Sequence, residues 1–236
     1  MELPILYEDA DLVAIDKPSG LMTHADGRTA AETAEDWFKE KYPQVALERP
    51  YAHRLDRETS GVLTFAKNES SYDFLRKAFT DHDARKTYLA LVYGAPKERE
   101  GLIDFDIGRS RKDFRLRSAQ PKAKGRLRDA LTRYRVLGET GQGDEKFALL
   151  EVQPETGRTH QIRVHLKAIH HPVVCDPLYA PNRPAAFGLS RLALHAYKLD
   201  LPLPSGGRAE IVAPVPADLR AAFARFPDAP YHTRYE

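Results

Sequence analysis

A charged, hydroxyl-rich loop that runs directly into an apolar strand has the clearest potential for chemistry in this sequence. The stretch His53–Lys67 reads HRLDRETSGVLTFAK, and its polar part contains Asp56 and Thr59. Loops fixed to a rigid strand are favoured places for catalytic groups. The Asp56 carboxylate is a candidate group of this kind. The alternative is that Asp56 and Thr59 only form a hydrogen-bonded turn, and the loop alone favours this alternative.

A second polar stretch, Glu155–His165 (ETGRTHQIRVH), predicts a helix with basic residues beside its buried stripe. Steps of about 100° per residue place Arg163, Lys167, His160 and His170 on one flank of the stripe. Arg163 is nearest the buried side, so its guanidinium needs an acidic partner. Pairing would hold that partner ionised by lowering its pKa. Asp56 is one candidate, and spacing does not select it over the other acids.

Basic residues are concentrated in the segment Arg109–Arg135. The whole chain has 36 Lys+Arg and 34 Asp+Glu, a net charge of +2. The segment has eleven basic and two acidic residues, so it carries +9 and the other 209 residues carry −7. Such asymmetry is typical of a protein that binds a polyanion. A solvated basic loop without a partner is the alternative.

Length and composition exclude several classes of protein. A chain of 236 residues forms one large domain or two small ones. With 42% hydrophobic and 30% charged residues, it is neither a disordered tail nor a membrane protein. The single cysteine, Cys175, excludes a disulfide framework and fits a reducing compartment. We find no signal peptide and no apolar run of about 20 residues, so we expect a cytoplasmic protein.

The apolar patterns predict more strands than helices. The predicted strands are Asp11–Lys17, Gly61–Ala66, Lys86–Tyr93, Leu102–Ile107, Ala130–Leu137, Phe147–Gln153 and Tyr197–Leu203, with a polar loop at Gly138–Lys146. The predicted helices begin at Thr29, Asn68, Thr159 and Pro216. No linker or repeat divides the chain. We expect a single α+β domain over residues 1–236, with a mostly antiparallel mixed β-sheet and flanking helices.

Six motifs follow one another along nearly the whole chain. They are LVAIDKPSGLMTH at Leu12–His24, HRLDRETSGVLTFAK at His53–Lys67, KTYLALVYG at Lys86–Gly94, ETGRTHQIRVHL at Glu155–Leu166, HPVVCDPLYA at His171–Ala180 and RLALHAYKL at Arg191–Leu199. In this order and spacing they resemble the RluA-type family of RNA pseudouridine synthases, for which HRLD-xx-TSG is highly specific. The resemblance implies a catalytic fold of two sub-halves about a central cleft.

The resemblance also implies an activity and its partners. The chain would isomerise uridines in structured RNA, in tRNA, 23S rRNA or both. It would need no cofactor, metal or obligate protein partner, and it would be a monomer. The family's frequent N-terminal S4-like domain is expected to be absent, because the catalytic pattern starts within the first twenty residues. Cys175 stands where the family usually has Gly.

Individual residues take roles from the family. Asp56 matches the catalytic aspartate, which acts while the bond between ribose C1′ and uracil N1 is broken, by a nucleophilic or a glycal route. Arg163 matches the arginine that pairs with this aspartate, and Tyr88 matches the tyrosine that stacks on the target base. Arg54 matches the residue that replaces the flipped uridine in the RNA stack. Leu194 matches the apolar residue on the other face of the base.

Basic residues outside this set are expected to bind the RNA itself. They are His160 and Lys167 on the helix flank, and Arg109, Arg111, Lys112 and Arg115 in the basic segment.

Three other functions would use some of these residues. A metal hydrolase would use His160 and His165, or His170 and His171. The first pair has poor i,i+5 spacing for one helix face and lacks an HExxH glutamate. A noncatalytic RNA-binding module explains the basic segment but gives Asp56 no role. A glycosidase could also use a carboxylate at C1′, but it would release free uracil.

Overall fold

The computed structural model describes residues 1–25, 27, 31–111, 113, 116–119, 123–143 and 145–226. The chain divides into two units. Unit 1 comprises Met1–Lys86 and Ala196–Pro214, and unit 2 comprises Thr87–His195 and the chain from Val215. None of the helices in the described ranges is long and apolar enough to span a membrane.

Unit 1 is built on a sheet with two helices. Its strands and helices are β1 (Ile5–Glu8), β2 (Leu12–Lys17), α1 (Ala34–Lys41), β3 (Ser60–Ala66), α2 (Glu69–Thr80), β11 (Leu194–Pro202, which enters this unit at Ala196) and β12 (Arg208–Val212). The strand order is β1-β2-β3-β11, with β12 paired to β11. Strand β2 is antiparallel to β3, with Lys17 opposite Gly61. This register brings the end of β2 beside the loop that leads into β3.

The core of unit 1 explains why these segments become strands and helices. Strand β3 is buried along its whole length, and Leu12, Leu75, Leu199 and Ile211 belong to one apolar cluster. Burying large aliphatic side chains stabilises a fold by about 1.5–3 kcal/mol each. The cluster therefore holds α2 against the sheet through one apolar face, as the helical spacing of its residues predicts.

Helix α1 begins later than the sequence predicted. Its N-cap is Thr33, and Thr29 lies outside the described residues. Thr33 and Asp36 form a capping box: the Asp36 N–H donates to Thr33 Oγ1 over 3.1 Å, and the Thr33 N–H donates to Asp36 Oδ2 over 2.9 Å. This reciprocal pair satisfies two backbone N–H groups that the first turn cannot use.

Unit 2 contains the longer strands and the basic segment. Its elements are β4 (Arg85–Tyr93, which enters this unit at Thr87), β5 (Glu100–Asp104), β6 (Ile107–Arg109), β7 (Arg117–Ser118), β8 (Lys124–Arg128), β9 (Leu131–Gln142), β10 (Glu145–Pro154), α3 (Gln161–Ala168) and α4 (Ala217–Phe223). Strands β4, β10, β9 and β5 follow one another as antiparallel neighbours. Strands β7, β6 and β8 form a separate antiparallel sheet, the basic sheet of this protein.

Two predicted boundaries in unit 2 are wrong. The single strand predicted at Leu102–Ile107 is divided, because β5 pairs with β9 whereas β6 pairs with β7 and β8. The polar loop predicted at Gly138–Lys146 is largely a hairpin, in which the ladder continues to Gln142 opposite Glu145. The α+β class with a mostly antiparallel sheet and flanking helices is confirmed. A single domain over residues 1–236 stays a prediction.

Candidate active site

The loop that carries Asp56 is fixed by hydrogen bonds at every backbone carbonyl from Leu55 to Glu58. Leu55 accepts from Thr23 Oγ1 (3.0 Å), Asp56 from the Thr59 N–H (3.1 Å), Arg57 from the Gly20 N–H (2.8 Å) and Lys17 Nζ (3.1 Å), and Glu58 from Ser19 Oγ (2.6 Å). The turn that the sequence left open as an alternative is thus present, closed by backbone groups. None of these bonds uses the half-buried Asp56 carboxylate.

Lys17 joins the end of β2 to this loop. Its side chain is fully buried, and Nζ donates to the carbonyls of Pro18 (2.9 Å), Leu21 (2.7 Å) and Arg57 (3.1 Å). These three acceptors match the three protons of an ammonium group. Sequence reasoning gave Lys17 no role, although a lysine closing an apolar strand was a visible signal.

Gly61, at the start of β3, is required by a close backbone approach. Its φ is +114°, and a Cβ atom there would lie 2.1 Å from the Ala196 carbonyl oxygen. A residue with a side chain would therefore displace either β11 or the end of the Asp56 loop.

His53 supports the same loop as a neutral group. Its ring stacks on Phe79 at 4.5 Å, and Nε2 accepts from the Thr64 N–H over 3.1 Å. Burial, with a smaller contribution from Lys86, lowers the pKa of His53 to about 3. These contacts give His53 a structural role.

Arg163 lies in unit 2 as one half of a buried ion pair. Its Nε donates to Asp176 Oδ2 and its Nη2 to Asp176 Oδ1, each over 2.8 Å. The two side chains are 1% and 0% exposed. Asp176 thus supplies an acidic partner of the kind that the helical wheel requires. The pairing of Arg163 with Asp56 stays a prediction, since Asp56 belongs to unit 1.

Tyr179 contacts three of the four basic residues predicted on the flank of α3, namely Arg163, Lys167 and His160. Its ring lies 5.1 Å from the Arg163 guanidinium and 5.6 Å from Lys167 Nζ. Its hydroxyl lies 2.9 Å from His160 Nδ1 and accepts from the Arg117 N–H over 2.9 Å. These contacts join the flank of α3 to strand β7 of the basic sheet.

The backbone of the turn that holds Asp176 explains why the resemblance leads us to expect Gly at position 175, where this chain has Cys. Cys175 has a φ of +56°, in the left-handed region that Gly adopts most easily. The family's usual Gly therefore fits this backbone. Asp176 Oδ1 accepts from the N–H groups of Leu178 (2.9 Å) and Tyr179 (3.0 Å). The motif HPVVCDPLYA was recognised in the sequence, but Asp176 and Tyr179 were not singled out within it.

The other residues of the predicted catalytic set are divided between the units. Arg54 is exposed beside Asp56 in unit 1. Tyr88 is half-buried on β4, and Leu194 is buried at the start of β11, both in unit 2 with Arg163. Their roles around the target base stay predictions.

The basic sheet presents like charges to one another. Arg109 on β6 lies directly opposite Arg117 on β7. Like charges in this position destabilise a sheet, and an anion bound between them would remove that cost. Arg111 is exposed just beyond β6, whereas Lys112 and Arg115 lie outside the described residues.

The histidines considered as metal ligands have other partners. His165 is buried, with Nδ1 2.9 Å from Thr132 Oγ1 and Nε2 2.9 Å from the Phe105 carbonyl. Burial lowers its pKa. Both ring nitrogens are thus engaged, which leaves the His160–His165 pair unsuited to a metal. In the part of the chain that the structure describes, no three His, Cys, Asp or Glu side chains form a group that could hold a metal ion.

Comparison with known proteins identifies the family. The family model described as RNA pseudouridylate synthase matches residues 11–168. An uncharacterised RNA pseudouridine synthase of Chloroflexus aurantiacus is 43% identical over 222 residues, covering 92% of this chain and 67% of the relative. The ribosomal large subunit pseudouridine synthase D of Nitrosomonas europaea is 37% identical over 243 residues, covering 97% and 67%.

A solved structure agrees. Human RNA pseudouridylate synthase domain containing 1 superposes with a TM-score of 0.74 at 28% identity, over 91% of this chain and 84% of that one. The chain spans about two thirds of the length of the curated bacterial relatives it matches. The matched residues 11–168 include Asp56, Tyr88 and Arg163. As the sequence motifs predicted, the chain belongs to the RNA pseudouridylate synthase family.

Proposed function

We propose that this chain is an isomerase that converts uridine in structured RNA to pseudouridine. The observation that carries the proposal is the Asp56 loop, whose backbone is hydrogen-bonded at four successive residues. A carboxylate on so fixed a loop loses little conformational freedom when it meets a substrate, which favours reaction at one position. Family membership supplies the reaction.

The isomerisation breaks the bond between C1′ and N1 and forms one between C1′ and C5. Asp56 either adds to C1′ or removes a ribose proton to give a glycal. The base then turns and C1′ bonds to C5. In the first route the bond between Asp56 and C1′ breaks as this bond forms, and in the second Asp56 returns the proton to the ribose. N1 gains a proton and C5 loses one to solvent. In this proposal Arg163 pairs with the Asp56 carboxylate, Tyr88 and Leu194 enclose the base, and Arg54 fills the space that the flipped nucleotide leaves.

The proposed substrate is a folded tRNA or 23S rRNA segment. The name of the Nitrosomonas relative refers to the large ribosomal subunit, so 23S rRNA hairpins are the first to test. His160, Lys167, Arg109 and Arg111, with Lys112 and Arg115, would contact phosphates. The proposal places the chain in the cytoplasm as a monomer that needs neither a cofactor nor an obligate protein partner.

The test uses tRNA and 23S rRNA transcripts labelled with tritium at uridine C5. Pseudouridine formation releases the tritium to water, and carbodiimide mapping locates the product. We expect Asp56→Asn to lower the rate at least about 10³-fold, because an amide cannot attack C1′ or accept a proton. Glu58→Gln, in the same loop, is the matched control and should keep most activity.

Each rival function gives a different result. Release of free uracil would make the chain a hydrolase. RNA binding without tritium release, unchanged in Asp56→Asn, would make it a noncatalytic module. Either result overturns the proposal.

A further inference from the structure

We propose that Asp176 is a positioning residue that fixes the plane and direction of the Arg163 guanidinium for the reaction. The inference rests on the proposed function, in which Arg163 acts on Asp56. Asp176 lies in the turn that follows α3, and the proposed function gives this residue no role of its own.

The contact has the geometry of a clamp. Two parallel hydrogen bonds of 2.8 Å join Nε and Nη2 of Arg163 to the two oxygens of Asp176. A two-point contact between planar groups fixes both the plane and the rotation of the guanidinium. A single bond would fix neither.

Asp176 is itself held in place. Its Oδ1 also accepts from the N–H groups of Leu178 and Tyr179, at 2.9 and 3.0 Å. The Tyr179 ring lies against the guanidinium at 5.1 Å. The position of the turn therefore determines the position of the Arg163 side chain. The Tyr179 ring limits motion of the guanidinium out of its own plane.

Asp176 contacts two of the three nitrogens of the guanidinium. A guanidinium has five N–H groups, and the ion pair with Asp176 uses one on Nε and one on Nη2. Because the group is planar and rigid, fixing these two nitrogens also fixes the direction of the third. In the proposed function Arg163 acts on the Asp56 carboxylate, and Asp176 would thus determine the direction in which it does so.

A buried ion pair needs a reason of this kind. Both side chains are at most 1% exposed, and desolvating two charges costs so much that apolar residues of similar volume often stabilise a core better. Packing alone does not account for Arg163 and Asp176. Under the proposed function, the pair instead serves to place the Arg163 charge beside the reacting carbon. Displacement of such a group by about 1 Å can lower a rate about 10²-fold.

The experiment compares the single-turnover rate at saturating RNA with the RNA dissociation constant. Asp176→Asn keeps the acceptor for Leu178 and Tyr179 but loses the charge and one acceptor for Arg163. We expect its rate to fall about 10²-fold while RNA binding stays within about twofold. Asp218→Asn, in the exposed two-point pair with Arg191, is the matched control and should leave both quantities within about twofold.

A double-mutant cycle separates positioning from general structural damage. If Asp176 acts through Arg163, Asp176→Asn should lower the rate of Arg163→Gln by less than about twofold. An equal fold-loss in both backgrounds, or a wild-type rate in Asp176→Asn, overturns the inference. All rates are taken per folded protein, at temperatures below the thermal transition of each variant.

Asp176→Glu replaces Asp176→Asn if the latter does not fold. It keeps the charge but moves the carboxylate by one methylene, so the rate should still fall about tenfold or more. A wild-type rate in Asp176→Glu overturns the inference. An active wild type with a fully active Asp176 variant contradicts only this inference, whereas a wild type inactive on all the RNAs contradicts the proposed function as well.

Discussion

Two arginine–aspartate pairs in unit 2 have almost the same geometry in opposite environments. Arg163 meets Asp176 through two bonds of 2.8 Å, and Arg191 meets Asp218 through bonds of 2.6 and 2.9 Å. The first pair is 1% and 0% exposed, whereas the second is 17% and 45% exposed. The two pairs therefore differ in their exposure to water and not in the types of residue that form them.

The difference teaches what each pair can do. Water can replace either partner of the Arg191–Asp218 pair, so this pair contributes little to stability. No such replacement is possible around Arg163, where a lost partner leaves a buried charge. The buried pair therefore keeps one arrangement, whereas the two side chains of the exposed pair can separate and be hydrated. The same chemical contact works as a fixed support in one place and as a weak surface link in the other.

The largest effect expected from this difference is on stability. Asp176→Ala should lower the free energy of unfolding by about 3–5 kcal/mol, because it leaves the Arg163 charge buried without this counter-ion. Asp218→Ala should cost at most about 1 kcal/mol. Urea unfolding at pH 7 measures both values. Equal losses in the two variants would contradict the comparison.

The next largest effect is expected on the pH dependence of stability, and it comes from His53 in unit 1. Its pKa is lowered to about 3 by burial, against about 6.5 in an unfolded chain. The unfolded state therefore binds the proton first, and stability is lost as the pH falls below about 6.5. From pH 7.5 to 5 the loss should be about 2 kcal/mol.

His53→Gln is the control for this pH dependence, since its side chain can still accept from the Thr64 N–H. Urea unfolding of both proteins at pH 7.5 and 5 isolates the contribution of His53 as a difference. The same loss in both proteins would show that His53 is protonated as easily in the folded state.

The smallest effect concerns the exposed pair and salt. The Arg191 hydrogen bond lowers the pKa of Asp218, so the pair's contribution is present above about pH 4 and is lost as the pH falls further. Because the pair is exposed, the cost of Asp218→Asn should be below about 1 kcal/mol at 50 mM NaCl and approach zero at 1 M. The cost of Asp176→Asn should hardly change, and a parallel decline in both would contradict the difference in screening.

Much of the fold could be predicted from apolar runs. The strands β2, β3 and β4 begin and end within one residue of their predicted bounds, because buried strands read as continuous apolar runs. The basic sheet could not be predicted, since the segment Lys124–Arg128 (KGRLR) has Leu127 as its single large apolar residue, too few to reveal a buried face. The start of α1 was predicted wrongly, because Thr29 and Glu32 were taken as the capping box, whereas Thr33 and Asp36, at the same spacing, form it.

The candidate site was predictable where a motif carried it and not where a tertiary contact did. Asp56 and Arg163 were found from the motifs and the helical wheel. Asp176 is thirteen residues from Arg163, beyond any helical or strand spacing, so no local pattern could pair them. Lys17 likewise reaches Arg57 across forty residues.

Cys175 has a practical consequence for spectroscopy. It is the only thiol of the chain, it donates to the Leu189 carbonyl over 3.3 Å, and burial raises its pKa. Thiolates rather than thiols react with maleimides and iodoacetamides, so this position is a slow target. The natural chain should therefore take up little label at Cys175, so cysteines introduced elsewhere can be labelled selectively. Cysteines introduced together at exposed Asp73 in unit 1 and exposed Leu102 in unit 2 would take fluorophores or spin labels first, and the distance between the two labels could be followed as RNA binds.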